Sequence, residues 1–280
     1  MKARGVVFTG PEKVEVWDLD LPEVGPQDVL VRVLYSGVSI GTEGWILKDG
    51  YKGVIYPLVT GYQQCGRVER VGAEVEGYRE GDLVYCGGTR LAGDVRAMWA
   101  GHTSHSVVAA ANLIPVPEKV RPEEAALGVM PAVPWHGIQM TGINAGDLVV
   151  VLGLGLVGQF AVQLARTKGA TVIATEVLAN RRSLAEQCGA ETVLDPRTDD
   201  VGAAVKAVKP EGADVIIDTS ANAAAVNASF EWIKRDGLYC LQGYYSGLTC
   251  LDLFLPHVKQ TTFINPTGFE GIATMFDYIH

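Results

Sequence analysis

The 280 residues carry a formal net charge of −9, with 32 acidic against 23 basic side chains, and 48% of them are hydrophobic. That length suits two domains, each able to bury its own core, and the acidic balance, with no basic stripe to neutralise phosphates, excludes a general nucleic-acid binder. Five widely spaced cysteines, Cys65, Cys86, Cys188, Cys240 and Cys250, do not make a disulfide framework and fit a reducing compartment.

The N-terminus, MKARGVVFTGPEKVEV, lacks the apolar centre of a signal peptide. A soluble, cytoplasmic protein is expected. The stretches VEVWDL, DVLVRVLYSGVS, CGRVERVGAEV and GDLVYCGG read as strands, separated by turns at GPQD, GYREGD and GGT. Helix signal is poor through this part, so an antiparallel β-rich domain is expected over residues 1–128. Next, RPEEAALGVMPAVPWHGIQMTG reads as one helix with its acidic residues early, where they favour the dipole.

From Leu148 onward apolar strands alternate with helices. LVVVLG, TVIATE, ETVLD, ADVIIDTS, LYCLQGY and TTFIN are the strands. VGQFAVQLARTKG, RRSLAEQCG, VGAAVKAVKP and AAAVNASFEWIKRDG are the helices between them. Continuous apolar runs alternating with amphipathic helices predict a parallel sheet covered on both faces, a second domain over 129–267. The apolar run Leu148–Ala165 is long enough to span a bilayer, but glycines at 153, 155 and 158 and the polar Gln159 and Gln163 argue against a span.

Those glycines have the spacing G-x-G-x-x-G, between a strand and the start of a helix. An acidic residue, Glu176, closes the next strand eighteen positions past Gly158. In that context the motif predicts a dinucleotide site. Gly153 permits the tight turn, Gly155 lets the backbone approach the pyrophosphate, and Gly158 packs helix on strand. The helix-opening amides around Leu156 and Val157 face the phosphates. A carboxylate at Glu176 can accept hydrogen bonds from both ribose hydroxyls and repels a 2′-phosphate, which favours NAD. Arg181 and Arg182 nearby leave NADP open. Thr219, Ser220, Gly243, Tyr244, Asn265 and Pro266 lie at carboxyl ends of strands, where ligands of open α/β sheets sit, and are the remaining candidates for the cofactor.

With these motifs in place the chain resembles the medium-chain dehydrogenase/reductase superfamily, the alcohol-dehydrogenase-like enzymes. The resemblance is carried by the opening MKARGVVFTGPEKVEVWDLDLPEVGPQDVLVRVLYSGVS, by Gly41-Thr42-Glu43, by GRVERVGAEVEGYREGDLV and by NLIPVPEKVRPEEAA. It implies a GroES-like β-rich domain followed by a Rossmann domain, with nicotinamide and a small-molecule substrate in a cleft between them. It also implies a homodimer joined at the Rossmann sheet edge. Residues 268–280, ending GIATMFDYIH, read as the start of the return segment to the first domain, as in a shortened or cut member.

The zinc-dependent pattern of that family is not kept. Ser39 or Ile40 stands at its first cysteine position, Tyr62 and Gln63 replace its His-Glu pair, and Met130 lies near its third ligand. Catalytic zinc prefers thiolate, imidazole or carboxylate ligands. The cysteine cluster of the structural zinc is reduced to Cys86. No zinc is expected. His102 and His105 lack acidic or cysteine neighbours in sequence and read as surface or interdomain histidines, each with a satisfied hydrogen bond.

SGVSIGTE and YPLVTGYQQCGRVERVG are similar to the hydroxyethyl bacteriochlorophyllide a dehydrogenase branch, whose members oxidise a secondary alcohol on a tetrapyrrole. Without a metal, protein groups must hold the reacting oxygen and move its proton. The positions implied are Ser39, Thr42, Glu43, Tyr62 and His136, Thr42 as a relay hydroxyl, Glu43 as base or structural partner, and Tyr62 as proton donor. The expected activity is a zinc-independent NAD(P)-dependent oxidoreductase acting on a bulky secondary alcohol or ketone. An NADPH-dependent enone or quinone reductase and a non-catalytic nucleotide-binding protein are the alternatives.

Overall fold

The computed structural model describes residues 1–245, 247–268 and 271–278. The chain divides into two units, Met1–Val129 with Ile272–His280, and Met130–Gly271. The return segment proposed from sequence therefore lies partly outside the described residues. No helix among the described residues is long and apolar enough to cross a membrane.

The first unit holds β1 (Lys2–Gly10), β2 (Lys13–Asp20), β3 (Asp28–Ser36), α1 (Ile40–Leu47), β4 (Leu58–Val59), β5 (Gln64–Val71), β6 (Leu83–Cys86), β7 (Arg96–Ala97), β8 (His105–Ala109), β9 (Ile114–Pro115) and α2 (Pro122–Ala125). They form two sheets, ordered β2-β1-β4-β7 and β8-β3-β5-β6-β9. Pairing is antiparallel except between β4 and β7. Val29, Val31, Val68, Val84 and Val108 bury a common core in the second sheet, the inward set expected of strands that present alternate residues to each face.

The second unit holds α3 (Val129–Thr141), β10 (Leu148–Leu152), α4 (Leu156–Thr167), β11 (Thr171–Thr175), α5 (Ala179–Gln187), β12 (Thr192–Leu194), α6 (Val201–Val208), β13 (Ala213–Asp218), α7 (Ala223–Ser229), β14 (Ile233–Leu241), α8 (Phe254–Lys259) and β15 (Thr262–Ile264). Its six strands are parallel, in the order β12-β11-β10-β13-β14-β15. This is the doubly wound arrangement whose strand order reverses between the first and fourth strands, here β10 and β13. Every residue of β10 is buried, which explains its unbroken apolar run. The last helix, α9 (Ile272–Tyr278), belongs to the first unit, where Phe276 meets Tyr85 edge-on at 6.2 Å.

Three expectations for the elements need correction. The helix expected over 121–142 is two, α2 and α3, with a turn from Ala126 to Gly128 between them. Residues 233–237, expected to end a helix, begin β14, because Ile233 is buried in the sheet core. The β-rich part also contains a two-turn helix, α1. Its IGTEGWIL sequence has two glycines and weak intrinsic propensity, and it is held by burying Ile46 against Phe8 and Leu58.

Candidate functional site

The nucleotide candidates in the second unit are drawn together by the β10–α4 turn. Gly153 has φ +81°, a left-handed conformation in which a side chain is strained. A Cβ at Gly158 would lie 2.0 Å from the Gly153 carbonyl oxygen, so helix and turn can meet only with glycine there. At Gly155 a Cβ would meet nothing within 4 Å, which leaves space over the turn. The first intrahelical bond of α4 runs from the Gln159 amide to the Gly155 carbonyl at 2.9 Å. The preceding amides of Leu156, Val157 and Gly158 are thus the unbonded donors of a helix N-terminus.

Glu176, directly after β11, is buried. Its Oε2 accepts from the Leu154 amide at 2.9 Å and its Oε1 from the Leu178 amide at 3.0 Å, while Arg181 Nη1 stands 3.4 Å from Oε2. Burial alone would push its carboxyl up. The two amides and the guanidinium outweigh it and hold the group below the usual carboxylate range. A cavity of about 550 Å³ opens here, lined among others by Gly153, Glu176, Arg181, Arg197, Ser220 and Asn222.

On the other side of the switch point, Thr219 Oγ1 donates to the carbonyls of Leu152 and Gly153, at 3.1 and 2.9 Å. Fully buried Asp218 accepts from the amide and hydroxyl of Ser220, from the Ala221 amide and from the Tyr245 hydroxyl. Gly243 packs against this loop, since a Cβ there would lie 2.8 Å from the Ala221 nitrogen. Tyr244, Asn265 and Pro266 lie on segments following β14 and β15 at the same sheet edge and do not line the cavity.

Arg197 and Asn222 were not among the sequence candidates. Arg197 grips Asp195 through Nε at 2.9 Å and Nη2 at 2.6 Å, and this fork holds Asp195 far below the usual carboxylate range. Arg182, which from sequence leaves a 2′-phosphate contact open, instead donates to Asp195 and to the Glu176 carbonyl. The strand-ending position of Asp-Pro-Arg 195–197 was the available signal.

The second group of candidates lies in the first unit. Ser39 is buried just ahead of α1, and its carbonyl accepts the Glu43 amide at 2.9 Å. On α1, Thr42 Oγ1 is 3.5 Å from the Tyr62 hydroxyl. Tyr62 is buried and meets Trp99 edge-on at 5.2 Å. Gln63, fully buried, has neither carboxamide atom hydrogen-bonded among the described residues. The fifth catalytic candidate, His136, is half-buried on α3 in the second unit.

The expectation for His102 needs correction: it is not a surface histidine. It is buried, with Nε2 3.0 Å from Glu43 Oε2 and Nδ1 2.9 Å from Ser36 Oγ. Gly61, at φ +93°, makes room for it, since a Cβ there would sit 2.8 Å from the ring. Glu43 Oε1 is buried with no hydrogen-bond partner among the described residues. His105, half-buried on β8, pairs with Glu69 at 3.3 Å. Fifty-nine positions separate Glu43 from His102, so no local pattern could have paired them.

The donor set where the family pattern would hold catalytic zinc is a hydroxyl (Ser39), a phenol (Tyr62), a carboxamide (Gln63) and a thioether (Met130). None is a thiolate, imidazole or carboxylate, so this set does not fit the metal. Among the described residues no group of three or more His, Cys, Asp or Glu is arranged to hold a metal ion.

A glycine-turn dinucleotide cradle on a doubly wound sheet, in a chain that also builds a β-rich unit rich in buried hydroxyls, defines an oxidoreductase architecture. The alcohol dehydrogenase GroES-like domain model matches residues 25–118, and the zinc-binding dehydrogenase model matches 157–277. The chain is 31% identical to an L-threonine 3-dehydrogenase of Anaeromyxobacter dehalogenans, over 84% of this chain and 74% of that protein. Two solved structures are each 25% identical over 99% of this chain. One is a Sinorhizobium meliloti protein of zinc-binding dehydrogenase type bound to NADP, at TM-score 0.86 over 88% of its chain. The other is an acetophenone reductase from Geotrichum candidum in complex with NAD, at TM-score 0.85 over 86% of its chain. The chain belongs to the alcohol-dehydrogenase-like branch of the medium-chain dehydrogenase/reductase superfamily.

Proposed function

We propose that this protein transfers hydride between NAD and a bulky secondary alcohol or its ketone, without a catalytic zinc. The observation that carries the reading is the buried, ionised Glu176 beside the Gly153–Gly158 turn in an open cavity. A carboxylate there can accept from two vicinal ribose hydroxyls, and it opposes a 2′-phosphate. Arg182 and Arg197 are spent on Asp195, which leaves Arg181 as the guanidinium nearest that carboxylate. When bound, NAD supplies the nicotinamide ring that accepts or returns the hydride.

In the first unit, Thr42 and Tyr62 hold their hydroxyls 3.5 Å apart, near the outer limit of a hydrogen bond. A third oxygen that bridges them gains two better contacts than they make with each other. Such a pair can steady a developing alkoxide in place of a metal. The exposed apolar side chains Val38, Ile40 and Trp45, close in sequence to Thr42, and Trp99, against the Tyr62 ring, favour a substrate with a large hydrophobic body.

The test supplies NADH and NADPH separately with a panel of bulky ketones, a keto-tetrapyrrole among them, and enones. Ketone reduction with NADH as the better donor is expected. Enone reduction with NADPH would overturn the reading in favour of a double-bond reductase. Cofactor binding with no turnover of any panel member would overturn it in favour of a nucleotide-binding protein.

A further inference from the structure

Gln159 follows the Gly153–Gly158 turn directly, on the opening turn of α4, and it is buried. Its carboxamide nitrogen donates to two carbonyls at once, that of Arg181 at 2.8 Å and that of Leu154 at 3.4 Å. Both partners only accept, so the amide end of the side chain must face them. The carboxamide oxygen is buried with no hydrogen-bond partner among the described residues. An unpaired buried oxygen is a cost that methionine or leucine would avoid in a similar volume. What a carboxamide adds at this position is the pair of bonds from its nitrogen.

Those bonds close a ring. The Leu154 amide donates to Glu176 Oε2 at 2.9 Å, and Arg181 Nη1 stands 3.4 Å from the same oxygen. The Leu154 and Arg181 carbonyls then meet at the Gln159 nitrogen. The ring thus links the glycine turn, Glu176 after β11, the first turn of α5 and the first turn of α4. Glu176 and Arg181 line the cavity beside it. With 46% of its side chain exposed, the Arg181 guanidinium is kept on Glu176 by one long contact and by the anchored backbone beneath it.

We propose that Gln159 is a positioning residue for coenzyme choice: by fixing the start of α5 against the glycine turn, it keeps Arg181 on Glu176 and away from a 2′-phosphate. This rests on the NAD reading above. With the tie in place the guanidinium is engaged by the carboxylate, which stays set to accept from a ribose. With the tie cut, the first turn of α5 is free to shift, and Arg181 can leave Glu176 for a phosphate, the more highly charged partner. NADPH then gains where NADH loses. Gln159 acts on the coenzyme through Arg181.

The test reads binding, not turnover. NADH and NADPH are each titrated by their own fluorescence against wild type, Gln159→Met, Arg181→Met and the double variant. Methionine fills the glutamine volume without a donor. A tie of this kind is worth about a three- to tenfold effect, so the ratio of the NADPH to the NADH dissociation constant should fall by that factor in Gln159→Met. In the Arg181→Met background the same substitution should leave the ratio unchanged, because the guanidinium through which it acts is gone. Gln159→Asn, too short to span both carbonyls, should move the ratio the same way, and it carries the test if the methionine variant does not fold. If both coenzymes weaken alike and the ratio holds, Gln159 is packing only and the proposal is overturned. A fall in the ratio that survives in the Arg181→Met background overturns it too. A wild type that prefers NADPH would sink the NAD reading instead, and the cycle would still decide whether Gln159 acts through Arg181. Binding of neither coenzyme by wild type would remove both.

Discussion

On the proposed reading, Glu176 is the side chain that chooses between coenzymes. Its two oxygens are already held by the Leu154 and Leu178 amides, so the carboxylate is oriented before any ligand arrives. Remaining lone pairs can then accept from a ribose without reorganisation. Hydrogen bonds to a charged group contribute about 1.5–3 kcal/mol. Glu176→Ala should therefore weaken NAD binding by roughly ten- to a hundredfold, and NADP binding far less, because the repulsion of the 2′-phosphate goes with the carboxylate. Fluorescence titration of both coenzymes checks this, and equal losses would show that the ribose contact is elsewhere. Residues of this kind could be named in advance because their chemistry is tied to a local pattern. Gly153, Gly155, Gly158 and Glu176 sit at fixed offsets along one strand-turn-helix-strand unit. His102 could not be named, since its partners Ser36 and Glu43 reach it only through the folding of distant strands and a helix.

Among the elements, those with a strong period were readable and those held by context were not. The strands β10, β11 and β13 are buried on both faces and so carry continuous apolar runs. By contrast, α1 forms from a glycine-containing segment because Ile46 and Glu43 are buried, and the split between α2 and α3 falls at the Ala126–Gly128 turn, which periodicity does not register. The parallel sheet also has an internal pin that no motif announces. Asp214, near the start of β13, accepts the Leu148 amide of β10 at 2.7 Å and the ammonium groups of Lys209 and Lys234 at 2.7 and 2.6 Å. Burial pushes its carboxyl up, but the two lysines and the amide hold it below the usual range. Asp214→Asn leaves two half-buried ammonium groups without their counter-charge and should cost about 2 kcal/mol, below the 3–5 kcal/mol of a fully buried pair because the lysines keep some solvent. A carboxyl with a lowered folded pKa contributes stability that is complete above about pH 4, and loses it as pH falls through the folded value. The gap in melting temperature between wild type and Asp214→Asn should accordingly be widest near neutrality and shrink in acid. A gap constant down to pH 3 would mean that the charge is not what pins the strands.

For the whole molecule, the proposed reading divides the work of a hydride-transfer enzyme between the two units. On that reading the second carries the coenzyme groups on the carboxyl edge of a parallel sheet, and the first carries the hydroxyls that would hold the reacting oxygen. In zinc-dependent relatives of this architecture a metal would polarise that oxygen. Here the corresponding positions hold Ser39, Tyr62, Gln63 and Met130, and the buried carboxylate and imidazole of the first unit, Glu43 and His102, are engaged with each other. On the proposed zinc-free reading, electrostatic stabilisation comes from hydroxyl dipoles, a weaker polarising field than a divalent ion but one that needs no ligand to be deprotonated. The consequence is testable on the intact protein. Prolonged exposure to a strong chelator should leave turnover and melting temperature unchanged, and purified protein should contain zinc well below one ion per chain. Stoichiometric zinc lost together with activity, and both recovered on adding the metal back, would mean that these side chains bind a metal despite their chemistry. The hydroxyl pair would then be its outer support and not its replacement.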